Sequence, residues 1–259
     1  MNPAYHSLLQ IAFRIPVREV VLRKPADAPA EERDALLVLP GLSDAPVNRR
    51  FQTACFSRFP YDLFIPVCVQ RQGMAQSLEH LDQFIRVQEL ERYRRLYVFG
   101  YILGGYLFTE LLRRRRLSNL AGVVFDRGPI QERAPEALMR QIPRIAPLIS
   151  GRVLRDFAAV RYRGLDTGAP AGLLVEHKAT RLMTVFRKAA LRPGPPDFDP
   201  ASFGQPFQDY CYVPLDHDQM YYRLEVFSGE LLHFFQHGHF SAQAPRTPFA
   251  ADPFKYPPQ

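Results

Sequence analysis

The chain has 259 residues, of which 47% are hydrophobic and 23% charged, and this balance excludes a disordered or low-complexity protein. A single α/β domain can reach about 250 residues, so we expect one domain with its own core. The net charge of +7 comes mainly from arginine and is too mild and too scattered to indicate nucleic-acid binding.

The cysteine pattern and the hydropathy pattern bear on the cellular compartment. Cys55, Cys68 and Cys211 are odd in number and form no CxxC pair, which favours a reducing cytoplasm over a disulfide framework or a zinc knuckle. Residues 1–14 lack a basic start followed by a long apolar core, so no secretory signal is expected. The uncharged stretch 96–109 contains three glycines and is shorter than the roughly 20 residues of a membrane span, so no transmembrane segment is expected.

Short apolar runs alternate with amphipathic stretches along most of the chain, a pattern typical of a parallel sheet flanked by helices. The apolar spacing predicts a helix over Ala75–Leu90 and another over Gly105–Arg116. The predicted strands are Val17–Leu22, Leu36–Leu39, Leu63–Val69, Leu96–Gly100, Gly122–Phe125, Cys211–Leu215 and Leu231–Phe235.

The pattern changes after the fifth predicted strand. Residues 129–191 show helix after helix with no clear strand, which predicts a helical lid over the carboxyl edge of the sheet. The predicted organisation is therefore an N-terminal part of the core over 1–128, the lid over 129–191 and a C-terminal part of the core over 192–243. A Pro-rich surface tail over 244–259 completes the chain.

The segment Gly100-Tyr101-Ile102-Leu103-Gly104-Gly105 follows a predicted strand and opens a predicted helix. It resembles the nucleophile elbow of the α/β-hydrolase superfamily, Gly-x-Ser-x-Gly, with Ile102 in place of the serine. The resemblance implies the α/β-hydrolase fold, a mostly parallel twisted sheet flanked by helices. Since the family's nucleophile sits at a strained positive φ, a β-branched residue there predicts either a relaxed elbow or strain offset by packing.

Three further segments, between Leu36 and Phe240, support the same resemblance in the family's order. Pro40-Gly41-Leu42 follows a strand and is similar to the turn that supplies an oxyanion-hole amide. Asp216-His217-Asp218 follows the strand that would carry the catalytic acid, with Asp218 preferred and Asp216 as the substitute, and a loop cap as the alternative. Gly238-His239-Phe240 is similar to the segment that often carries the catalytic histidine, so the resemblance implies His239 as base. The residues expected to line the oxyanion region and cleft are Gly41, Leu42, Ser43 and Leu103.

Several other residues have a functional and a plain interpretation. Ser43 is either a displaced nucleophile or a helix cap. Cys68, at the end of an apolar strand, is expected to be buried and not reactive. Arg127 either holds an acidic ligand group or forms an ion pair with Asp126 or Glu132. No metal site is expected, because His217, His233, His237 and His239 with Asp216 and Asp218 show no diagnostic ligand spacing.

An isoleucine side chain has neither a lone pair nor a proton to give, so the acyl-enzyme route through Ile102 is closed. The leading hypothesis is a non-catalytic protein that binds a small apolar or acyl-type ligand or a protein partner, without a cofactor. The alternative is an active esterase-like, thioesterase-like or non-serine enzyme that uses Asp218 and His239. A third hypothesis is a membrane-surface adaptor using Arg113–Arg116, although such a run is usually a solvated face. The sequence does not indicate an oligomeric state.

Overall fold

The computed structural model describes residues 10, 15–25, 28–146, 150–160, 164–165, 167–249 and 252–255. The strands are β1 (Val20–Leu22), β2 (Asp34–Leu39), β3 (Asp62–Ile65), β4 (Arg95–Tyr101), β5 (Leu120–Arg127), β6 (Ala171–Lys178) and β7 (Asp209–Asp216). The α-helices are α1 (Pro46–Phe56), α2 (Met74–Val87), α3 (Ile102–Arg114), α4 (Ala134–Gln141), α5 (Arg152–Ala159), α6 (Arg181–Val185), α7 (Arg187–Ala190) and α8 (Ser228–His237). Short 3-10 turns cover Ala30–Glu32, Leu90–Arg92, Gln131–Arg133, Pro200–Phe203, Gln219–Tyr221 and Leu224–Val226.

The seven strands form one sheet in the order β1-β3-β2-β4-β5-β6-β7. Strand β1 runs antiparallel to β3, and every other neighbouring pair is parallel. The carboxyl ends of β4 to β7 therefore lie along one edge, where Tyr101 pairs with Asp126 and Lys178 with Asp216. In open α/β sheets this edge is where ligands bind.

The sheet separates two layers of core. One layer joins strand residues such as Leu37 and Val98 to helices α2 and α3 through Leu81 and Leu107. The other joins Leu36 and Phe99 to α1 and α8 through Phe56 and Leu231. Because the central strands are buried on both faces, they have continuous apolar runs, which is why their positions are readable from the sequence.

Six of the seven predicted strands are present, with shifted ends, and the predicted mostly parallel α/β sheet is confirmed. The seventh prediction was wrong: Leu231–Phe235 lies inside helix α8. A short apolar run fits a buried strand and a buried helix equally well, and here the helical alternative is the one that packs against the sheet.

The expectation of an entirely helical segment over 129–191 was also wrong, because strand β6 lies within it between β5 and β7. Its apolar run is short, Leu173–Val175, and is followed by Glu176, His177 and Lys178, all of them buried. These polar residues hid the strand pattern. The role of the flanking helices as a lid stays a prediction.

Two expectations concern the ends and the hydropathy of the chain. The tail predicted over 244–259 falls partly outside the described residues. Within them, the backbone carbonyl of Pro245 accepts a hydrogen bond from Tyr212 N at 2.9 Å, and that of Pro253 accepts one from Ala179 N at 2.9 Å. Among the helices of the described chain, none combines the length and the apolarity that crossing a membrane requires.

Candidate functional site at the carboxyl edge of the sheet

The turn from β4 into α3 is closely packed at its glycines. A Cβ added at Gly104 would lie 2.0 Å from the carbonyl oxygen of Leu39, and one at Gly100 would lie 2.7 Å from the Cα of Gly105. A Cβ at Gly105 would lie 2.5 Å from the Phe125 ring. Glycine is therefore required where the elbow motif places it, so the strand and helix approach each other as they do in a nucleophile elbow.

The backbone at the nucleophile position is relaxed. Tyr101 is extended, with φ −67° and ψ 156°, and Ile102 begins helix α3. Among the described residues other than glycine, only Glu89 has a positive φ. Ile102 is 8% exposed. Of the two expected outcomes, the structure has the relaxed elbow, which removes the steric penalty that a β-branched side chain would otherwise meet.

The predicted oxyanion turn contacts Tyr221. The Tyr221 hydroxyl accepts a hydrogen bond from Gly41 N at 2.8 Å, and its ring stacks on Tyr101 with centroids 4.1 Å apart. A Cβ at Gly41 would lie 3.1 Å from the Tyr221 hydroxyl and 3.7 Å from Leu103 N. The turn, the start of α3 and Tyr221 are thus in mutual contact, and one amide of the turn is already occupied.

Three ionisable side chains meet at the ends of β5, β6 and β7. Asp126, Glu176 and His217 have ligand atoms that all lie within 4.8 Å of one another. His217 Nδ1 is hydrogen-bonded to Glu176 Oε1 and lies 3.6 Å from Asp126 Oδ2. All three residues are almost fully buried, with 0–4% exposure. One imidazole nitrogen and two carboxyls at such distances suit either a hydrogen-bonded proton network or a divalent cation.

Burial determines the charge state of this cluster. It raises the pKa of Asp126 well above its usual value, and the adjacent Glu176 charge raises it too. Burial also raises the pKa of Glu176, while a hydrogen bond from Asp126 works in the opposite direction. Two adjacent buried carboxylates repel each other and lack water, so the arrangement disfavours ionisation of both Asp126 and Glu176 together. Glu176 in turn faces the imidazole of His217.

The residues expected to supply the acid lie beside this cluster. Asp216 Oδ1 accepts a hydrogen bond from Gln219 N at 2.9 Å and so caps the turn after β7, which was the alternative interpretation. Burial raises the pKa of Asp218 to about 6, and the neighbouring Ser43 acts in the opposite direction. The cap expected of Ser43 is absent: the N-cap residue of α1 is Ala45. The Ser43 carbonyl instead accepts a hydrogen bond from Asn48 Nδ2 at 2.7 Å.

His239 lies elsewhere in the fold. It follows helix α8, is exposed, and its Nδ1 bonds the Phe240 carbonyl at 2.9 Å. Its ring contacts those of His233 and His237. The structure thus does not place it with the described cluster at the ends of β5, β6 and β7.

For Arg127 and Cys68, the interpretation without a ligand-binding or reactive role is confirmed. Arg127 forms an ion pair with Glu132, with Nη2 and Oε2 3.0 Å apart. Cys68 is fully buried, its Sγ bonds the Pro40 carbonyl at 3.4 Å, and burial raises the pKa of its thiol to about 12. A thiol held protonated in this way is a poor nucleophile.

A cavity of about 210 Å³ opens beside the oxyanion turn. Gly41 and Leu42 line it together with Val67, Val69 and Arg71. This volume is below the roughly 300–1,000 Å³ of usual ligand pockets. The cavity therefore suits a small ligand or one segment of a larger one.

Sequence reasoning missed Glu176 and gave His217 no catalytic role. The signal was present: Ala171–Lys178 has an apolar run followed by charged residues, as expected of a strand that ends at a polar site. Without that strand, the acid was predicted after Cys211–Leu215 and the histidine after Leu231–Phe235, and both assignments stay predictions.

Comparison with known proteins agrees with this architecture. Neither protein-family models nor curated proteins match the sequence. Among solved structures, an alpha/beta hydrolase enzyme, MGS-MChE2, from the metagenome of lagoon sediments at Mar Chica, Morocco, is 12% identical, with a TM-score of 0.52 over 84% of this chain and 94% of its own. An alpha/beta hydrolase enzyme, MGS-M2, from a Medee basin deep-sea metagenome library is 11% identical, with a TM-score of 0.52 over 87% of this chain and 96% of its own. The chain has the fold of the α/β-hydrolase superfamily, as its strand order and its glycine-rich elbow predict.

Proposed function

We propose that this protein does not form an acyl-enzyme and instead binds a small apolar or acyl-type ligand at the carboxyl edge of its sheet. The observation that carries the proposal is Ile102 at the start of α3, where the fold presents its nucleophile. The isoleucine lies in a relaxed turn and offers no group that can attack an acyl carbon.

The oxyanion turn supports the same conclusion. An oxyanion hole stabilises developing charge with amides held ready for the substrate oxygen. Here Gly41 N already donates to Tyr221, whose ring is held by stacking on Tyr101. A tyrosine hydroxyl in this place competes with a substrate oxygen, so the turn is arranged for contact within the protein.

The ligand would enter the cavity of about 210 Å³ beside Leu42. Its lining is mostly apolar, with Arg71 and Asp44 as charged members. A short acyl chain suits the apolar part, and a small polar head suits the rim. All three cysteines are free, in keeping with a reducing cytoplasm as the proposed location.

A fluorophosphonate probe tests the absence of an acyl-enzyme. Wild type and the Ile102→Ser variant are incubated with the probe, and any label is located by peptide mass spectrometry. We expect no label on wild type. Label on wild-type Ser43 would reveal a displaced nucleophile, and saturable hydrolysis of p-nitrophenyl acetate by wild type would also overturn the proposal.

Ligand binding is tested by thermal denaturation with hexanoate and with the hexanoyl thioester of N-acetylcysteamine. We expect at least one of the two compounds to raise the Tm of wild type and to have no effect on Leu42→Arg, which fills the cavity. The matched control is Val185→Arg, at a side chain that is 77% exposed and does not line the cavity. An equal rise in Leu42→Arg, or no rise in wild type, would contradict this part of the proposal and leave a protein partner as the occupant to test.

A second candidate function has its own observation. His217 is buried and bonded to Glu176; Glu176 lies within β6, and His217 directly follows the neighbouring strand β7. Such a pair can serve as a base on water or on a substrate proton without a serine. In this alternative the base is His217; the sequence-based assignment of His239 stays a prediction.

Three variants separate these assignments. Any turnover of an ester or thioester by wild type is compared with that of His217→Ala, Glu176→Gln and His239→Ala. Loss in the first two with retention in the third would support the second candidate. Loss in His239→Ala alone would restore the sequence-based assignment, and background rates in all four proteins would support the binding function.

A further inference from the structure

Three imidazoles come together at the end of helix α8, away from the proposed ligand site. The ring centroids of His233 and His237 are 4.3 Å apart, those of His233 and His239 5.5 Å, and those of His237 and His239 6.1 Å. Neither proposed function uses these side chains. We propose that they form a surface site for one divalent transition-metal ion of the zinc type.

Local chain geometry explains the grouping. His233 and His237 are four residues apart on α8 and therefore project from the same helical face. Gly238 then takes a left-handed conformation, with φ 78°, and ends the helix. This turn brings His239 back beside the two helical rings.

The loop that carries His239 is fixed by contacts of the two residues that follow it. Phe240 N donates to Asp209 Oδ2 at 2.8 Å, and Phe240 itself is buried. Ser241 N donates to Glu230 Oε2 at 2.8 Å, and the Ser241 hydroxyl donates to Oε1 at 2.6 Å. The backbone at position 239 is therefore held in place before any ion arrives, which lowers the entropy cost of binding.

The spacing of the rings suits a common metal. Zinc–nitrogen bonds of about 2.0–2.1 Å in a tetrahedral arrangement put the ring centroids of two imidazole ligands roughly 5 Å apart. The three observed separations lie on either side of that value. Three imidazoles with a water in the fourth position form a known zinc coordination set.

The hydrogen bond of His239 prepares it as a ligand. A backbone carbonyl only accepts, so the bond between His239 Nδ1 and the Phe240 carbonyl requires the proton on Nδ1. In a neutral ring the lone pair is then on Nε2. Metal-binding histidines typically donate their second ring nitrogen to a carbonyl or carboxylate in this way.

Binding requires modest side-chain rotation. Among the described residues, only Asp126, Glu176 and His217 have ligand atoms all within 4.8 Å of one another, so the three rings of α8 have not yet converged to that spacing. His237 and His239 are exposed and His233 is half-buried, so their rings can turn toward an ion without disturbing the core.

The test is isothermal titration of the full chain, without an affinity tag and stripped of metal, with ZnCl2. We expect one equivalent of Zn²⁺ to bind wild type, and affinity to fall by about tenfold or more in His237→Ala and in His239→Ala. The matched control is His80→Ala, at a half-exposed histidine on α2 that pairs with Glu19. It should bind as wild type does. Far-UV circular dichroism of each variant checks the fold.

Cobalt substitution gives an independent readout. Co²⁺ at three imidazoles and a water should give the intense visible absorption of a tetrahedral site in wild type, and His237→Ala should lose it. Unchanged zinc affinity in the His237→Ala/His239→Ala double variant would overturn the proposal, as would no binding to wild type. Loss of binding in Asp126→Asn, with retention in the double variant, would place the ion in the buried cluster and equally overturn it.

Discussion

Gly104 determines how closely helix α3 approaches strand β2. A Cβ there would lie 2.0 Å from the Leu39 carbonyl oxygen and 2.7 Å from that of Pro40, and neither backbone atom can rotate away. We expect Gly104→Ala to lower the free energy of unfolding by about 3 kcal/mol or more, measured by urea denaturation and far-UV circular dichroism. The control is Gly229→Ala in α8, where nothing lies within 4 Å, which should gain about 0.5–1 kcal/mol. Equal effects of the two changes would contradict the close packing of the elbow.

The Tyr221 hydroxyl accepts a hydrogen bond from Gly41 N, in the turn predicted to supply an oxyanion hole. This hydroxyl occupies Gly41 N, so removing that oxygen frees the amide while the stacked ring stays. We expect Ile102→Ser/Tyr221→Phe to react with a fluorophosphonate several-fold faster than Ile102→Ser alone. Tyr222→Phe, at the adjacent tyrosine, is the control and should leave the rate unchanged. A rate unaffected by Tyr221→Phe would show that this hydroxyl does not block the site.

Asp218 makes stability depend on pH. Burial raises its pKa to about 6 from an ordinary value of 3.8, so folding favours the protonated acid. Its contribution to stability is full below about pH 4 and is lost as pH rises through about 6. We therefore expect the Tm of Asp218→Asn, relative to wild type, to increase between pH 4.5 and 7 in thermal melts.

Asp82 supplies the matched control for that measurement. Burial alone would raise the pKa of Asp82, but its bond to Arg115 lowers it below the ordinary value. Between pH 4.5 and 7 this carboxyl is ionised in both the folded and the unfolded state, so Asp82→Asn should shift the Tm by a nearly constant amount. A constant offset for Asp218→Asn as well would contradict the raised pKa.

At the scale of elements, the sequence predicts β2 to β5 and α3 well. Each of these segments combines a clear pattern of apolar residues with residues that mark where the strand or helix ends. After Arg95, strand β4 is an apolar run that leads into the glycines of the elbow. Strand β6 is less readable, because its carboxyl half carries Glu176, His177 and Lys178, which are buried through contacts that no local pattern encodes. Tertiary partners, and not local preference, make that segment a strand.

Helix α8 shows the opposite error, a helix predicted as a strand. Leu231, Leu232, Phe234 and Phe235 form a compact apolar run that suits either structure. The helical alternative is decided by packing: a Cβ at Gly172 would lie 2.6 Å from the Phe234 ring, so this helix lies directly on β6. The assignment of His239 as base rested on reading Leu231–Phe235 as a strand, and it stays a prediction. The tight turn of the elbow is readable because its glycines leave a local sequence signature, whereas the oxyanion role of Pro40-Gly41-Leu42 stays a prediction.

At the scale of the whole molecule, the sheet keeps the two core layers apart. Leu107 of α3 belongs to one layer and Leu231 of α8 to the other, and both are fully buried. Each Leu→Ala change leaves a cavity and should lower the free energy of unfolding by about 2–5 kcal/mol. Since the two side chains belong to separate clusters, the double variant should lose the sum of the two within about 0.5 kcal/mol.

This double-mutant cycle is measured by chemical denaturation followed by far-UV and near-UV circular dichroism. Circular dichroism is chosen because the chain has tyrosines but no tryptophan for fluorescence. A coupled pair within one layer, Leu107→Ala with Leu111→Ala, one turn apart on α3, provides the comparison. We expect that pair to depart from additivity, because the two cavities share neighbours. A similar departure for the pair on opposite faces would mean that the sheet transmits packing changes between the layers. In that case a ligand bound at the carboxyl edge would alter side-chain packing in both core layers.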